Sequence, residues 1–227
     1  MMLSPFESLF GIPQREVRKN VLLLPILPKG FLNILGFEKL TRGFLYASAS
    51  IENWTLIQTG MGAPLVGDAV LYLEGSCCQN LLLVGSCGAL PRSCLEIGNL
   101  VYPEKCLAIE SFSEFLLEEI SSLRVLLLQN PLLKKWIEVS NSVKIRPVTC
   151  ATLPSLKLEE EREEWLFFQG VDVVDMECSA FFSAAQYCKI PASALFYVTD
   201  IVNEKPFYNG GGFKMPSHLF EVLKKIF

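Results

Sequence analysis

Four consecutive aliphatic residues, Leu81-Leu82-Leu83-Val84, run directly into Gly85. A strand with one wet face alternates apolar and polar side chains. An unbroken aliphatic run of this length therefore marks a strand covered on both faces, as in a parallel sheet with helices above and below. The rest of the chain supplies suitable partners. Val21-Leu22-Leu23-Leu24-Pro25-Ile26-Leu27 reads as a first strand, with Pro25 placing it at an edge or ending it early. Residues 44–51 and 54–59 read as a hairpin turning through Glu52-Asn53. Further strands are expected at 99–103, 143–149, 171–175 and 192–198.

Helical spacing alternates with these strands. Val66, Val70, Leu73 and Cys77 share one face of a helix after Gly60-Met61-Gly62. Helices are also expected over 114–129, 132–139 (just after Pro131), 158–168 and 178–188, the last with Ala180, Ala184 and Tyr187 on one side. In the closing segment, 213–227, Leu219, Val222, Leu223 and Ile226 recur at helical spacing. No repeat or linker divides the chain. The expectation is one α/β domain over residues 1–227, a central mixed β-sheet flanked by helices.

Composition narrows the class of partner. Twenty Lys and Arg stand against 24 Asp and Glu, and no basic cluster is interleaved with aromatics, which argues against nucleic acid or an anionic membrane. No basic stretch precedes an apolar segment at the amino terminus, and 21–27 is too short to span a bilayer, so a cytoplasmic protein is expected. The eight cysteines lie in apolar contexts without paired C-x-x-C spacing, which points to reduced thiols and no metal site. The glutamates 159, 160, 161, 163 and 164 read as a solvated helix face. The lone histidine, His218, reads as a surface or lid residue, too isolated to serve a Ser or Cys nucleophile.

Chemistry in open α/β sheets gathers beyond the carboxyl ends of strands, and three segments fit that position. Thr59-Gly60-Met61-Gly62 offers a tight turn and a helix start. Val84-Gly85-Ser86-Cys87-Gly88-Ala89 follows the buried strand. Val174-Asp175-Met176-Glu177 is followed one helix and strand later by Val198-Thr199-Asp200. Taken singly, Asp200 reads as an Asx-turn or cap at a strand end and Glu177 as a helix-capping carboxylate.

Taken together, the order and spacing of these segments resemble the purine nucleoside phosphorylase and nucleosidase superfamily over residues 54–203, near its methylthioadenosine/S-adenosylhomocysteine nucleosidases and futalosine hydrolases. The resemblance implies a small-molecule partner, a purine nucleoside, and no cofactor. It implies that Asp200 protonates N7 of the departing base, that Glu177 bonds the ribose hydroxyls, and that Met176, Ser86, Gly88, Gly62 and Thr199 line the substrate site. A poor leaving group needs that proton as positive charge develops on the sugar. The resemblance further implies a homodimer.

Two departures bear on mechanism. The hexameric phosphorylases resembled here carry an arginine where this chain has Leu83, and an aliphatic side chain cannot hold phosphate; Lys29 is the remaining candidate cation. Water is therefore the expected nucleophile, acting on a 5′-substituted nucleoside. The nucleosidases' water-activating glutamate is also missing, with no carboxylate between Glu16 and Glu38. Three alternatives follow: hydrolysis with water held by another group such as Glu177, phosphorolysis using Lys29, or nucleoside binding without catalysis.

Overall fold

The computed structural model describes residues 3–111, 123–139, 143–209 and 215–227, with Glu114 and Leu117 between. Ten strands of the described residues join one mixed sheet. In chain order they are β1 Asn20–Leu24, β2 Thr41–Arg42, β3 Ala47–Ile51, β4 Trp54–Gln58, β5 Asn80–Ala89, β6 Leu100–Ala108, β7 Arg124–Leu127, β8 Ile145–Thr152, β9 Val173–Asp175 and β10 Ala192–Ile201. The helices are α1 Pro5–Phe10, α2 Phe31–Leu35, α3 Ala63–Leu71, α4 Pro131–Val139, α5 Leu156–Glu161, α6 Glu163–Phe168, α7 Cys178–Cys188 and α8 Ser217–Ile226.

The strand β5 organises the sheet. It runs parallel to both β1 and β10, and its aliphatic run is buried on two faces as the sequence requires. Leu81 and Leu83 join the core beneath α3 and α7, with Val66, Val70 and Phe181. Leu82 and Val84 join the opposite core, with Leu219, Val222 and Leu223 of α8. Alternate residues of one strand thus bind helices on both sides, which is why no polar position interrupts it. The order continues β1-β4-β3-β2 on one flank. On the other, β10 pairs β6, β6 pairs β8, β8 pairs β9, and β9 returns to β5. The strands β5, β10, β6, β8 and β9 therefore close on themselves.

Several local expectations change. Pro25 ends β1 early, but β1 is flanked by β4 and β5 and is no edge. The hairpin of β3 and β4 forms, with Glu52 at φ 35° in its turn. The helix α3 stops at Leu71, so Leu73 is buried beyond its end and Cys77 is exposed. Residues 124–127, assigned by spacing to a helix over 114–129, form β7 on the edge of β6; most of that helix's remaining length lies outside the described residues. On α7, Ala184 is buried, but Tyr187 projects into solvent. No described helix is long and apolar enough to cross a membrane.

Candidate active site

The site arises where the sheet forks. Along one side of β5, β1 pairs with Asn80–Leu83 and then stops at Leu24. On that side β9 joins only at Gly88 and Ala89. Among the described strands, the stretch from Val84 to Cys87 has no partner there, and an open cavity occupies the gap. Ligand sites commonly sit at such breaks in strand order. Pro25 and Ile26, at the end of β1, face Ser86 and Gly88 of β5 across it, with Met176 and Glu177 after β9 and Thr199 and Asp200 on β10 closing the wall.

A register shift in the β10–β5 ladder aims Asp200. Val198 pairs with Cys87 and Asp200 with Gly88, leaving Thr199 as the extra residue; such bulges redirect side chains at strand ends. The Thr199 hydroxyl lies 2.7 Å from Asp200 Oδ1 and 3.2 Å from the Cys87 carbonyl oxygen. The hydroxyl donates towards both oxygens, sharing one proton between two acceptors, with the shorter contact to Asp200. Burial lifts the Asp200 pKa above the usual carboxylate range, whereas a Thr199 proton donated to the ionised form works the other way.

Glu177 sits at the N-terminal cap of α7, buried, and its Oε1 accepts the Gly62 N–H at 2.6 Å. Gly62 holds φ 109°, a conformation that L side chains rarely adopt, so the turn presents its N–H at a position that calls for glycine. Burial raises the Glu177 pKa to about 7 and the Gly62 bond lowers it. The capping that the sequence assigned to Glu177 belongs to Asp175 instead: its Oδ2 accepts from Glu177 N at 3.0 Å and Cys178 N at 2.6 Å, while Oδ1 accepts from the Thr152 hydroxyl at 2.7 Å. Asp175 thereby fixes the backbone that carries Glu177.

The structure brings Ser86, Gly88, Met176, Glu177, Thr199 and Asp200 to one cavity, and Gly62 reaches it through Glu177. It also adds a residue read as solvated. Glu159, on α5, is 6% exposed and lines the cavity, whereas Glu161 and Glu164 of the same acidic run face solvent. Burial first, then Asp175 and Asp200, push its pKa to about 9, so its carboxyl carries a proton at neutral pH. A helical position one residue after Leu158 gave no signal of this, because the sequence does not say which way α5 leans on the sheet. Among the described lining residues there is no Lys or Arg. Lys29 is exposed and outside the lining, and Leu83 lies inside β5. His218 Nε2 contacts the Gly98 carbonyl oxygen at 2.9 Å, away from the cavity lining.

The same fold occurs in solved structures of low sequence identity. A futalosine hydrolase from Helicobacter pylori superposes with a TM-score of 0.75 at 16% identity, covering 92% of this chain and 98% of that one. A 5′-methylthioadenosine/S-adenosylhomocysteine nucleosidase from Campylobacter jejuni gives 0.68 at 18%, covering 92% and 93%. An AMP nucleosidase from Bacteroides thetaiotaomicron gives 0.71 at 19%, covering 97% and 92%. No curated protein sequence matches the chain. The model of the phosphorylase superfamily matches residues 27–209, a span that includes β2 to β10 and every carboxylate of the cavity, and the chain belongs to that superfamily.

Proposed function

We propose that the protein is a nucleosidase that hydrolyses the N-glycosidic bond of a purine nucleoside whose 5′ substituent is not a phosphate. One observation carries this reading: Asp200 and Glu177 share a cavity whose described lining holds four acidic residues and no cation. In the reaction, the bond from C1′ to the purine nitrogen breaks as Asp200 gives its proton to N7, so the base leaves neutral. Glu177 holds the ribose hydroxyls and opposes the positive charge growing on the ring. Water attacks C1′, and the proton it loses passes through solvent to the ionised Asp200, which regains its acid form. Glu159, protonated, supplies a further hydrogen-bond donor towards the end of the cavity that holds the base.

The acidic lining also bears on phosphate. Neither an attacking phosphate nor a 5′-phosphorylated sugar finds a counter-charge among these residues, so burying either dianion there leaves it unpaired. This supports hydrolysis over phosphorolysis. It also supports a nucleoside over a nucleotide, with methylthioadenosine, S-adenosylhomocysteine, futalosine and aminodeoxyfutalosine as the candidates. The test is to incubate the protein with each of these and with AMP, with and without phosphate, and to detect free base. Base release that is independent of phosphate and absent with AMP supports the proposal. A strict need for phosphate makes the protein a phosphorylase, and nucleoside binding without base release makes it a binding protein.

We also propose a homodimer. Met61 borders the cavity and is 56% exposed, an apolar side chain that a second copy would cover. A monomer in light scattering at micromolar concentration would refute this.

A further inference from the structure

Three of the eight cysteines meet at one point in the core. Cys106 on β6, Cys150 on β8 and Cys178 at the start of α7 are all 0% exposed, and their Sγ atoms lie within 4.8 Å of one another. The sheet fixes this convergence. Cys106 and Cys150 are direct partners in the parallel β6–β8 ladder, so their side chains leave the same face. The first residue of α7 places Cys178 beside them. Two oxygens border the sulfurs: Thr152 Oγ1 is 3.4 Å from Cys106 Sγ, and Asp175 Oδ1 is 3.4 Å from Cys150 Sγ. The Asp175 carboxylate is itself 4% exposed, and the partners around it are neutral donors: a hydroxyl, a thiol and two backbone N–H groups.

We infer that Cys106, Cys150 and Cys178 form a structural binding site for one zinc ion, with Asp175 Oδ1, 3.4 Å from Cys150 Sγ, the carboxylate oxygen that would complete a four-ligand set. Zinc–sulfur bonds of about 2.3 Å place thiolates roughly 4 Å apart, so the sulfurs need close by less than about 1 Å. A dication suits this cluster better than a soft monocation, since it offsets more of the thiolate charge in a dry core and accepts a carboxylate oxygen as ligand. The ligands come from separate elements, which is why no C-x-x-C spacing announces them. Bound there, the ion would tie the start of α7, directly after Glu177, to β6 and β8. The inference does not depend on the nucleosidase reading.

Because the three thiols are closed to solvent in the folded chain, metal would enter as the chain folds, with the thiols giving up their protons. The full-length protein is therefore refolded from guanidinium under reducing conditions with and without zinc, and separately with cobalt(II) as a spectroscopic probe. The expected result is one zinc per chain retained through gel filtration, a melting temperature raised by zinc, and the thiolate-to-cobalt charge-transfer and tetrahedral d–d bands. Cys150→Ala and Cys178→Ala should each abolish all three. A protein with Cys77, Cys78, Cys94 and Cys188 changed together to Ser should keep them. If the alanine variants do not fold, Cys150→Ser, closer in size and checked by far-UV circular dichroism, replaces them. A refolded protein that holds no metal and melts at the same temperature either way overturns the site, as does metal retained by folded variants of the three core cysteines.

Discussion

Asp200 and Gly88 are partners across the β10–β5 ladder, and a methyl group built on Gly88 would stand 3.3 Å from Asp200 Oδ2. The same methyl would meet Val174 at 3.2 Å and Val202 at 3.3 Å. Gly88 therefore leaves the space in which the carboxyl settles against Thr199. Gly88→Ala forces one of these neighbours to shift by a few tenths of an ångström; Val174 and Val202 are packed in a core cluster, whereas Asp200 is only half-buried at the cavity it shares with Val174. The expected outcome is a displaced Asp200, with kcat/KM falling by about 10–10²-fold, since small misplacements of catalytic groups are costly. Stability should fall by about 1–2 kcal/mol from overpacking. Base-release kinetics and thermal melts check both, and unchanged kinetics would separate Gly88 from the placement of Asp200.

Replacing Asp200 itself isolates the proton. Asp200→Asn preserves size and can still bond Thr199, but it cannot acidify N7. Turnover should drop by about 10²–10⁴-fold while nucleoside still binds. A substrate whose leaving group departs without protonation should restore Asp200→Asn and leave Glu177→Gln impaired, because the second variant lacks the ribose contact. Near-full activity of Asp200→Asn on natural substrate would remove it from the acid role and leave it a strand-end residue.

What the sequence disclosed and what it hid divide along a physical line. The buried run of β5 was legible because a strand covered on both faces has to be apolar at every position, and the α7 boundaries at 178–188 were legible because apolar spacing changes there. Asp200 and Glu177 were proposed from the resemblance carried by the joint spacing of their segments, and both line one cavity. Glu159 was not, since burial of one glutamate in a run of five depends on how α5 rests against β8 and β9, a tertiary relation. The strand β7 was missed for a related reason: Arg124–Leu127 is an exposed edge whose pairing with β6 overrides its local pattern. The cysteine cluster joins residues 106, 150 and 178, which only the sheet register brings together.

Glu159 should make stability depend on pH. Its unfolded pKa is near the ordinary carboxyl value of 4.5 and its folded pKa about 9, so the folded chain binds the extra proton between those values. Stability from this group is fully present below about pH 4.5 and is lost as pH rises towards 9. Glu159→Gln removes the titration, so its denaturation midpoint should vary less over this range. At pH 8 the variant should be more stable than the parent by up to about 5 kcal/mol, since each unit of pH above 4.5 costs the parent about 1.4 kcal/mol. Parallel denaturant curves from pH 5 to 9 that kept the same slope against pH in both proteins would show that Glu159 is not the group involved.

Asp175 offers the sharpest separation of scaffold from chemistry. Its carboxylate accepts the N–H groups of Glu177 and Cys178 and the Thr152 hydroxyl, all in the interior. In Asp175→Ala those donors lose their acceptor, and buried unpaired groups cost about 1–3 kcal/mol on top of the lost helix cap. A total near 3 kcal/mol should lower the melting temperature by roughly 6–12 °C for a chain of this size. The backbone before α7 would then be free to move, and Glu177 with it. Because Glu177 is read as holding the ribose, KM should rise along with a fall in kcat. Asp175→Asn keeps an acceptor for the two N–H groups, so it should recover most of the melting temperature and much of the KM effect. If Asp175→Asn were as inactive as Asp175→Ala while melting like the parent, Asp175 would have a part in the reaction beyond holding Glu177 in place.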